Sequence, residues 1–418
     1  MTVNGYDLDM LREPYRALMG AGRTYAAFDS ETTFPLIDAL HTHGTIADPM
    51  AGYGTLMTMC AQKGISTFNL EGNPPAYLWG ILNNPKNSDN IIQIIDRLLH
   101  IRNKVPQIDK IADISDDWYS PRSYTIIRAL FKIISEVNDI RADPQYQQDI
   151  SLALLVPFTG RLASYVPGNI VANVKRGGIC VYKGLSDDFD RYLTATKSKL
   201  IVISKTSINK NHEFVFGNLI TAELDRKFSA FITSPPYPNS RDYYAMFAPE
   251  NDCLTFLRAQ GDIENLVVKE QLIGSVRVSK YSNKNIDYDK ELSSSSARSF
   301  IKYISEFEGK KRRAKYDNTI YYVPYFSNYF YQIEQAYRNF ANYLTDAFEG
   351  YIVVTNNTAR NRVIPVAQSI EELFHQLNIN ATIIDKYTRE LSHVGTINPR
   401  VKGFKTRHME YTIKVWRS

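Results

Sequence analysis

The sequence predicts an α/β protein: a doubly wound, Rossmann-like sheet carrying a helical insertion. Three observations lead there. Residues 44–75 read as strand, glycine turn, helix and strand within about 30 residues, the size of one β-α-β unit. From Asn87 to about Ile208, apolar residues recur at spacings of three and four, the helical period. Near the C-terminus, runs of strand and helix character alternate again.

The elements follow in order. FPLIDALHTH (34–43) reads as a short amphipathic helix. GTIADP is an apolar strand, LMTMCAQKG a helix, and ISTFNLEGNPP a strand that ends in an acid and is punctuated by Asn-Pro. NIIQIIDRLLHI, YTIIRALFKIISEVNDI and QDISLALLVPFTGRLASYV carry the helical block. KLIVISK and EFVFGN return to strand-like runs, and LITAELDRKF reads as a short connecting helix before the strand FIT. Residues 278–315, with VSKYSNKN, ELSSSSARS and GKKRRAK, read as exposed or mobile loops. A Tyr-rich helix follows, YFSNYFYQIEQAYRNFANYL. The strands GYIVVTNN, ATIIDKYT and HMEYTIKVW, with IEELFHQL as a helix after the first, complete the chain. No internal repeat is visible.

Composition bounds the class. The 418 residues suffice for two or three domains, or for one domain with large insertions. Hydrophobic residues make up 44%, enough for a sizeable core and too many for wholesale disorder. The net charge of +5 is compatible with nucleic acid without demonstrating it. Cys60, Cys180 and Cys253 are widely separated and form no C-x-x-C pair, so they read as buried thiols in a reducing cytoplasm and not as a zinc site. His41 and His43 read as a helix end, and no metal is expected. The polar N-terminus is unlike a secretory signal, and no apolar run reaches membrane-spanning length.

Two stretches carry chemistry. The first is DPMAGYGT, Asp48 to Thr55, between a strand and a helix. Its glycines permit a tight turn and close backbone approach to a ligand, and the following helix N-terminus suits an anionic group such as a carboxylate. Glu71, about 20 residues on at the end of the next strand, is placed to accept hydrogen bonds from ribose hydroxyls. Together they favour an adenosine-bearing cofactor. The second is FITSPPY, Phe231 to Tyr237, where two prolines halt a strand and hold a hydroxyl and an aromatic ring at its end.

At these two stretches the sequence resembles the amino-group DNA methyltransferases that use S-adenosyl-L-methionine. DPMAGYGT is similar to their cofactor loop, D-P-F-x-G-x-G-T, and SPPY is similar to their catalytic motif, in the form typical of the branch that methylates the N4 amine of cytosine. Met50 stands in place of the usual Phe, Tyr53 where Ser or Cys is common, and Asn218 in place of an Asp near the adenine pocket. Later segments resemble the family more weakly, over roughly 300 residues in all.

The resemblance implies a seven-stranded sheet of the methyltransferase type. Its last strand would be antiparallel, because short segments join the last two strands. Residues 1–84 would be the N-terminal part of the catalytic domain with the cofactor loop. Residues 85–205 would be a helical insertion able to serve target recognition. Residues 206–418 would supply the rest, including a polar loop at about 265–318 that is the other candidate for target recognition. Asp48, Pro49, Met50, Ala51, Gly52, Gly54, Thr55, Glu71 and Asn218 would bind S-adenosyl-L-methionine. Ser234, Pro235, Pro236 and Tyr237 would be catalytic: the Ser234 oxygen and the Pro235 carbonyl accept the two amine hydrogens, and Tyr237 stacks on a base flipped out of duplex DNA.

Lys310, Lys311, Arg312, Arg313 and Arg241 would contact DNA, with Arg400, Lys402, Lys405 and Arg407 as a second basic patch. The implied activity is site-specific N4-cytosine methylation of double-stranded DNA in a bacterial, archaeal or phage-encoded restriction-modification system. A cognate restriction endonuclease acting on the same site is the expected partner, and the cytoplasm the expected location. The alternatives are an N6-adenine methyltransferase and a non-catalytic DNA-recognition subunit.

Overall fold

The computed structural model describes residues 28, 30–101, 118–138, 143–159, 162, 189–238, 247–264, 266, 272–274, 287–307, 321–390 and 407–418, together with a two-stranded pairing of residues 2–3 with 6–7. The architecture is α/β. Seven strands form one mixed, mostly parallel sheet: β1 (Ile46–Asp48), β2 (Thr67–Glu71), β3 (His212–Phe216), β4 (Phe228–Thr233), β5 (Leu344–Asn356), β6 (Asn380–Glu390) and β7 (Arg407–Arg417). Their order across the sheet is β6-β7-β5-β4-β1-β2-β3. β7 runs antiparallel to both β5 and β6, and the other pairs are parallel. The chain therefore leaves β1 toward β2 and β3, then returns to lay β4 on the other side of β1. Sheets of this kind bind ligands outside the carboxyl ends of the strands at that reversal.

Among the described residues there are twelve α-helices. Those around the sheet are α1 (Ser30–Leu40), α2 (Thr55–Gln62) and α3 (Pro74–Asn83). Among the described residues of 85–206 the regular elements are all helical: α4 (Pro85–His100), α5 (Pro121–Val137), α6 (Pro144–Thr159) and α7 (Phe189–Thr206). Then come α8 (Ala248–Ala259), α9 (Tyr288–Glu291), α10 (Ser295–Glu306), α11 (Val323–Ala341) and α12 (Val366–Gln376).

Strand alternation sorts the sheet's two faces. Ile46, Ala230 and Ile232 pack with Leu40, Leu56 and Cys60 of α1 and α2. Ala47 and Phe231, one residue along, pack on the opposite side with Phe326, Phe340 and Phe374 of α11 and α12. The helices of 85–206 form a separate core with α3 and α8, in which Ile94, Leu130, Leu154 and Tyr192 are fully or almost fully buried. Each such side chain contributes about 1.5–3 kcal/mol. Among the described residues no helix is long and apolar enough to cross a membrane.

Three local expectations are corrected. KLIVISK is the end of helix α7, because Leu200 and Ile203 bury into the helical core; a continuous apolar run fits a buried helix as well as a strand. LITAELDRKF forms turns and no helix, pinned where the backbone amides of Thr221 and Ala222 bond the Asn218 carbonyl. ELSSSSARS, read as an exposed loop, is the ordered start of α10. The Ser293 and Ser294 amides bond the buried Glu334 carboxylate, and the Ser294, Ser295 and Ser296 hydroxyls bond Glu372. Ser294 caps the helix through its bond from the Ala297 amide, 3.1 Å.

Candidate functional site

The glycine loop leaves β1 at Asp48 and enters α2 at Thr55. Gly52 and Gly54 have φ of +55° and +74°, the left-handed region that only glycine enters freely. Gly54 is confined as well, since an added Cβ would lie 2.7 Å from the Met57 methyl and 3.0 Å from the Phe214 ring. The loop is anchored to its neighbours. The Ala51 amide bonds the Leu70 carbonyl at 2.9 Å, and the Gly52 amide bonds Glu71 Oε2 at 2.7 Å. Asn83 of α3 donates to the Tyr53 carbonyl at 2.9 Å, and the buried amine of Lys199 on α7 bonds the same Asn83 side chain. A helix of the insertion thus braces the loop through one amide.

Glu71 ends β2, where its carboxylate spans two backbone amides, Gly52 on Oε2 and Asn73 on Oε1, both at 2.7 Å. Each carboxylate oxygen retains a further lone pair. Burial pushes Glu71 up to about 7, against the lowering effect of those amides. Asp48 is fully buried. Its Oδ1 accepts from Thr233 Oγ1 at 2.8 Å and from the Met50 amide at 3.3 Å, while its Oδ2 has no hydrogen-bond partner among the described residues. Burial likewise pushes Asp48 up to about 7. The Asp48–Thr233 bond ties the end of β1 to the end of β4.

At that end of β4 stands SPPY. Ser234 Oγ and the Tyr237 hydroxyl share a hydrogen bond of 2.7 Å. The prolines offer no N–H, so this segment is held through its carbonyls. Tyr329 of α11 donates to the Pro236 carbonyl at 2.9 Å, and Asn357, just past β5, donates to the Pro238 carbonyl at 2.9 Å. Behind the loop, Tyr337 of α11 is fully buried, and its hydroxyl has no hydrogen-bond partner among the described residues. Burial raises its pKa well above the usual tyrosine value, with Asp48 and Tyr237 adding to the effect.

The two stretches meet. One cavity is lined by Pro49, Met50, Ala51, Gly52, Thr55, Glu71 and Asn218 from the cofactor set and by all four of Ser234, Pro235, Pro236 and Tyr237. Asp48 and Gly54 are not among its lining residues. Tyr237 is 7% exposed to solvent although it lines the cavity. Asn218 Oδ1 accepts from the Ile220 amide at 3.0 Å, which fixes the side chain at the cavity edge.

Arg241, Lys310, Lys311, Arg312 and Arg313 lie outside the described residues, as do Arg400, Lys402, Lys405 and Cys180. Cys60 and Cys253 are buried thiols. Sequence reasoning did not single out Thr233, Tyr329, Tyr337 or Asn357. For the tyrosines a signal existed: Tyr325, Tyr329 and Tyr337 recur at multiples of four along a helix, which puts them on one stripe. Comparison with protein-family models, curated proteins and solved structures finds no match to the chain.

Proposed function

We propose that the chain is an S-adenosyl-L-methionine-dependent DNA methyltransferase that methylates the exocyclic N4 amine of cytosine. The observation that carries this reading is the single cavity shared by the glycine loop, Glu71 and SPPY. It lies at the β1/β4 reversal of the sheet.

The donor set suits an adenosyl group bearing an amino-acid tail. Glu71 has acceptor capacity for ribose hydroxyls beyond its two amide bonds. The start of α2, at Thr55, offers the amides of a first helical turn to a carboxylate. Met50, Ala51 and Leu219 supply apolar wall for a purine, and Asn218 a polar edge. When bound, the cofactor supplies an electrophilic methyl group.

The chain's own residues do the positioning. A cytosine amine is a weak nucleophile because its lone pair is shared with the ring. Ser234 Oγ and the Pro235 carbonyl would accept its two hydrogens and draw the lone pair out of conjugation with the ring toward the methyl group, and one of those N–H protons would leave to solvent once the methyl group is attached. If the Ser234 hydroxyl donates to Tyr237, both lone pairs of Ser234 Oγ stay available to accept. Tyr237 offers a ring face to an extruded base, an interaction worth about 1–3 kcal/mol. The two prolines, with the bonds from Tyr329 and Asn357 to the loop's carbonyls, hold these acceptors in place before substrate arrives.

The test is transfer of a labelled methyl group from S-adenosyl-L-methionine to duplex DNA by the purified chain, beside Ser234→Ala. Incorporation by the wild type and its loss in the variant support the reading. Equal incorporation by both, or transfer to protein or RNA in place of DNA, overturns it.

A further inference from the structure

Beyond the end of β4 the sheet does not stop. Thr233 pairs with Ile352, yet β5 continues to Asn356, about 13 Å further at 3.3 Å per residue. It then folds into a small hairpin in which Thr358 pairs with Val363 and Ala359 with Arg362. Arg360 and Asn361 form the two-residue tip, with φ of +49° and +64°, the two left-handed residues of a type I′ turn. The hairpin's base is closed by the Ile364 amide on the Asn357 carbonyl at 2.8 Å, and the same Asn357 holds Pro238 of the catalytic loop.

Two arginines of this hairpin rest on aromatic rings. The Arg360 guanidinium lies 4.6 Å from the Tyr322 ring centre and 5.7 Å from that of Phe307. The Arg362 guanidinium lies 4.8 Å over Tyr303, whose hydroxyl bonds the Arg360 carbonyl at 2.9 Å. Arg362 is exposed and forms no ion pair with any carboxylate among the described residues. Val363 beside it is 48% exposed, one of three large apolar side chains so displayed among the described residues. Tyr322, the helical N-cap of α11, and Tyr329 within it are seven residues apart, roughly 10 Å at 1.5 Å per residue. The ring under Arg360 and the hydroxyl on Pro236 therefore belong to one rigid element.

We infer that the hairpin 358–363 is a nucleic-acid contact that seats duplex DNA over the SPPY loop, with Arg360 and Arg362 neutralising backbone phosphates beside the extruded nucleotide. The inference rests on the DNA reading above and deepens it. An arginine resting on an aromatic ring has its side chain partly ordered already and gives up less freedom on meeting a phosphate. A two-stranded ribbon is narrow enough to approach a groove. Asn357 links the hairpin to the catalytic loop directly, so DNA docked on one is registered against the other.

The test is the affinity of the full chain for a labelled duplex across a salt titration, comparing wild type with Arg360→Gly/Arg362→Gln. Glycine suits the left-handed tip, so the turn is retained. The slope of log affinity against log salt should become shallower by about 0.9 for each phosphate that is no longer neutralised. S-adenosyl-L-methionine affinity, read by calorimetry, should be unchanged. Arg362→Gln alone, on the exposed edge, should give about half the effect, and Arg362→Lys should keep most of the slope. A double variant that retains the wild-type slope overturns the hairpin assignment while leaving the methyltransferase reading intact. A wild type that methylates no DNA and binds none overturns both.

Discussion

The hydroxyls of Ser234 and Tyr237 lie 2.7 Å apart at the carboxyl end of β4, bonded to each other across Pro235 and Pro236. The two residues therefore act as a pair, and their variants should differ in kind. Ser234→Ala removes the proposed amine acceptor and should lower kcat by about 100-fold or more while cofactor and DNA still bind. Tyr237→Phe keeps the ring face and removes the partner of Ser234, so kcat should fall less. Tyr237→Ala should also weaken the flipped state, which a fluorescent base analogue at the target position reports. Steady-state kinetics on the three variants checks the ranking.

Glu71 is predicted to matter for cofactor before anything else. Glu71→Ala removes the proposed ribose acceptors and releases the Gly52 and Asn73 amides that the carboxylate now holds. Affinity for S-adenosyl-L-methionine should fall by on the order of 1–3 kcal/mol, or about 5- to 150-fold. Calorimetry that finds unchanged affinity removes Glu71 from the cofactor site.

Tyr329 and Asn357 bond the carbonyls of the SPPY segment and are proposed to position it. Tyr329→Phe keeps the ring and deletes the hydroxyl that bonds Pro236. Combined with Asn357→Ala, it should lower kcat by about 10- to 100-fold, the cost of a misplacement near 1 Å, with cofactor affinity unchanged. A fall in thermal stability with no change in kcat would assign both residues to folding alone.

Asp48 makes a pH prediction. Its pKa is raised from 3.8 to about 7 by burial, so the folded state holds a proton that the unfolded chain releases. Its contribution is fully present below pH 3.8 and is lost as pH rises through about 7. Asp48→Asn keeps an acceptor for Thr233 and carries no charge. The stability of the variant relative to wild type should therefore rise between about pH 4 and pH 8, by at most about 4 kcal/mol. Denaturant unfolding at a series of pH values measures it; a flat difference would mean that Asp48 is hydrated.

The parts of the site legible in the sequence are those whose chemistry is local. Gly52 and Gly54 announce a turn because other residues resist positive φ, and Pro235-Pro236 announces the end of a strand because neither can donate. The mostly parallel sheet follows from strands that alternate with helices. What was not legible depends on partners distant in sequence. Nothing near Tyr329 indicates that its hydroxyl meets Pro236, 93 residues away. The serines at 293–296 look like loop until Glu334 and Glu372 are brought to them. KLIVISK carries no periodicity that separates buried helix from buried strand, and only the neighbouring helical core decides. The Arg360–Asn361 tip lacks the glycine that usually signals a type I′ hairpin.

The central claim is that SPPY directs a methyl group to an exocyclic cytosine amine. Its most direct test is mass spectrometry of nucleosides from duplex DNA incubated with the purified chain and methyl-labelled S-adenosyl-L-methionine. The account predicts label in N4-methylcytosine, abolished by Ser234→Ala. Label in N6-methyladenine would contradict the base assignment, and unlabelled DNA in the presence of bound cofactor would contradict the catalytic role of the loop itself.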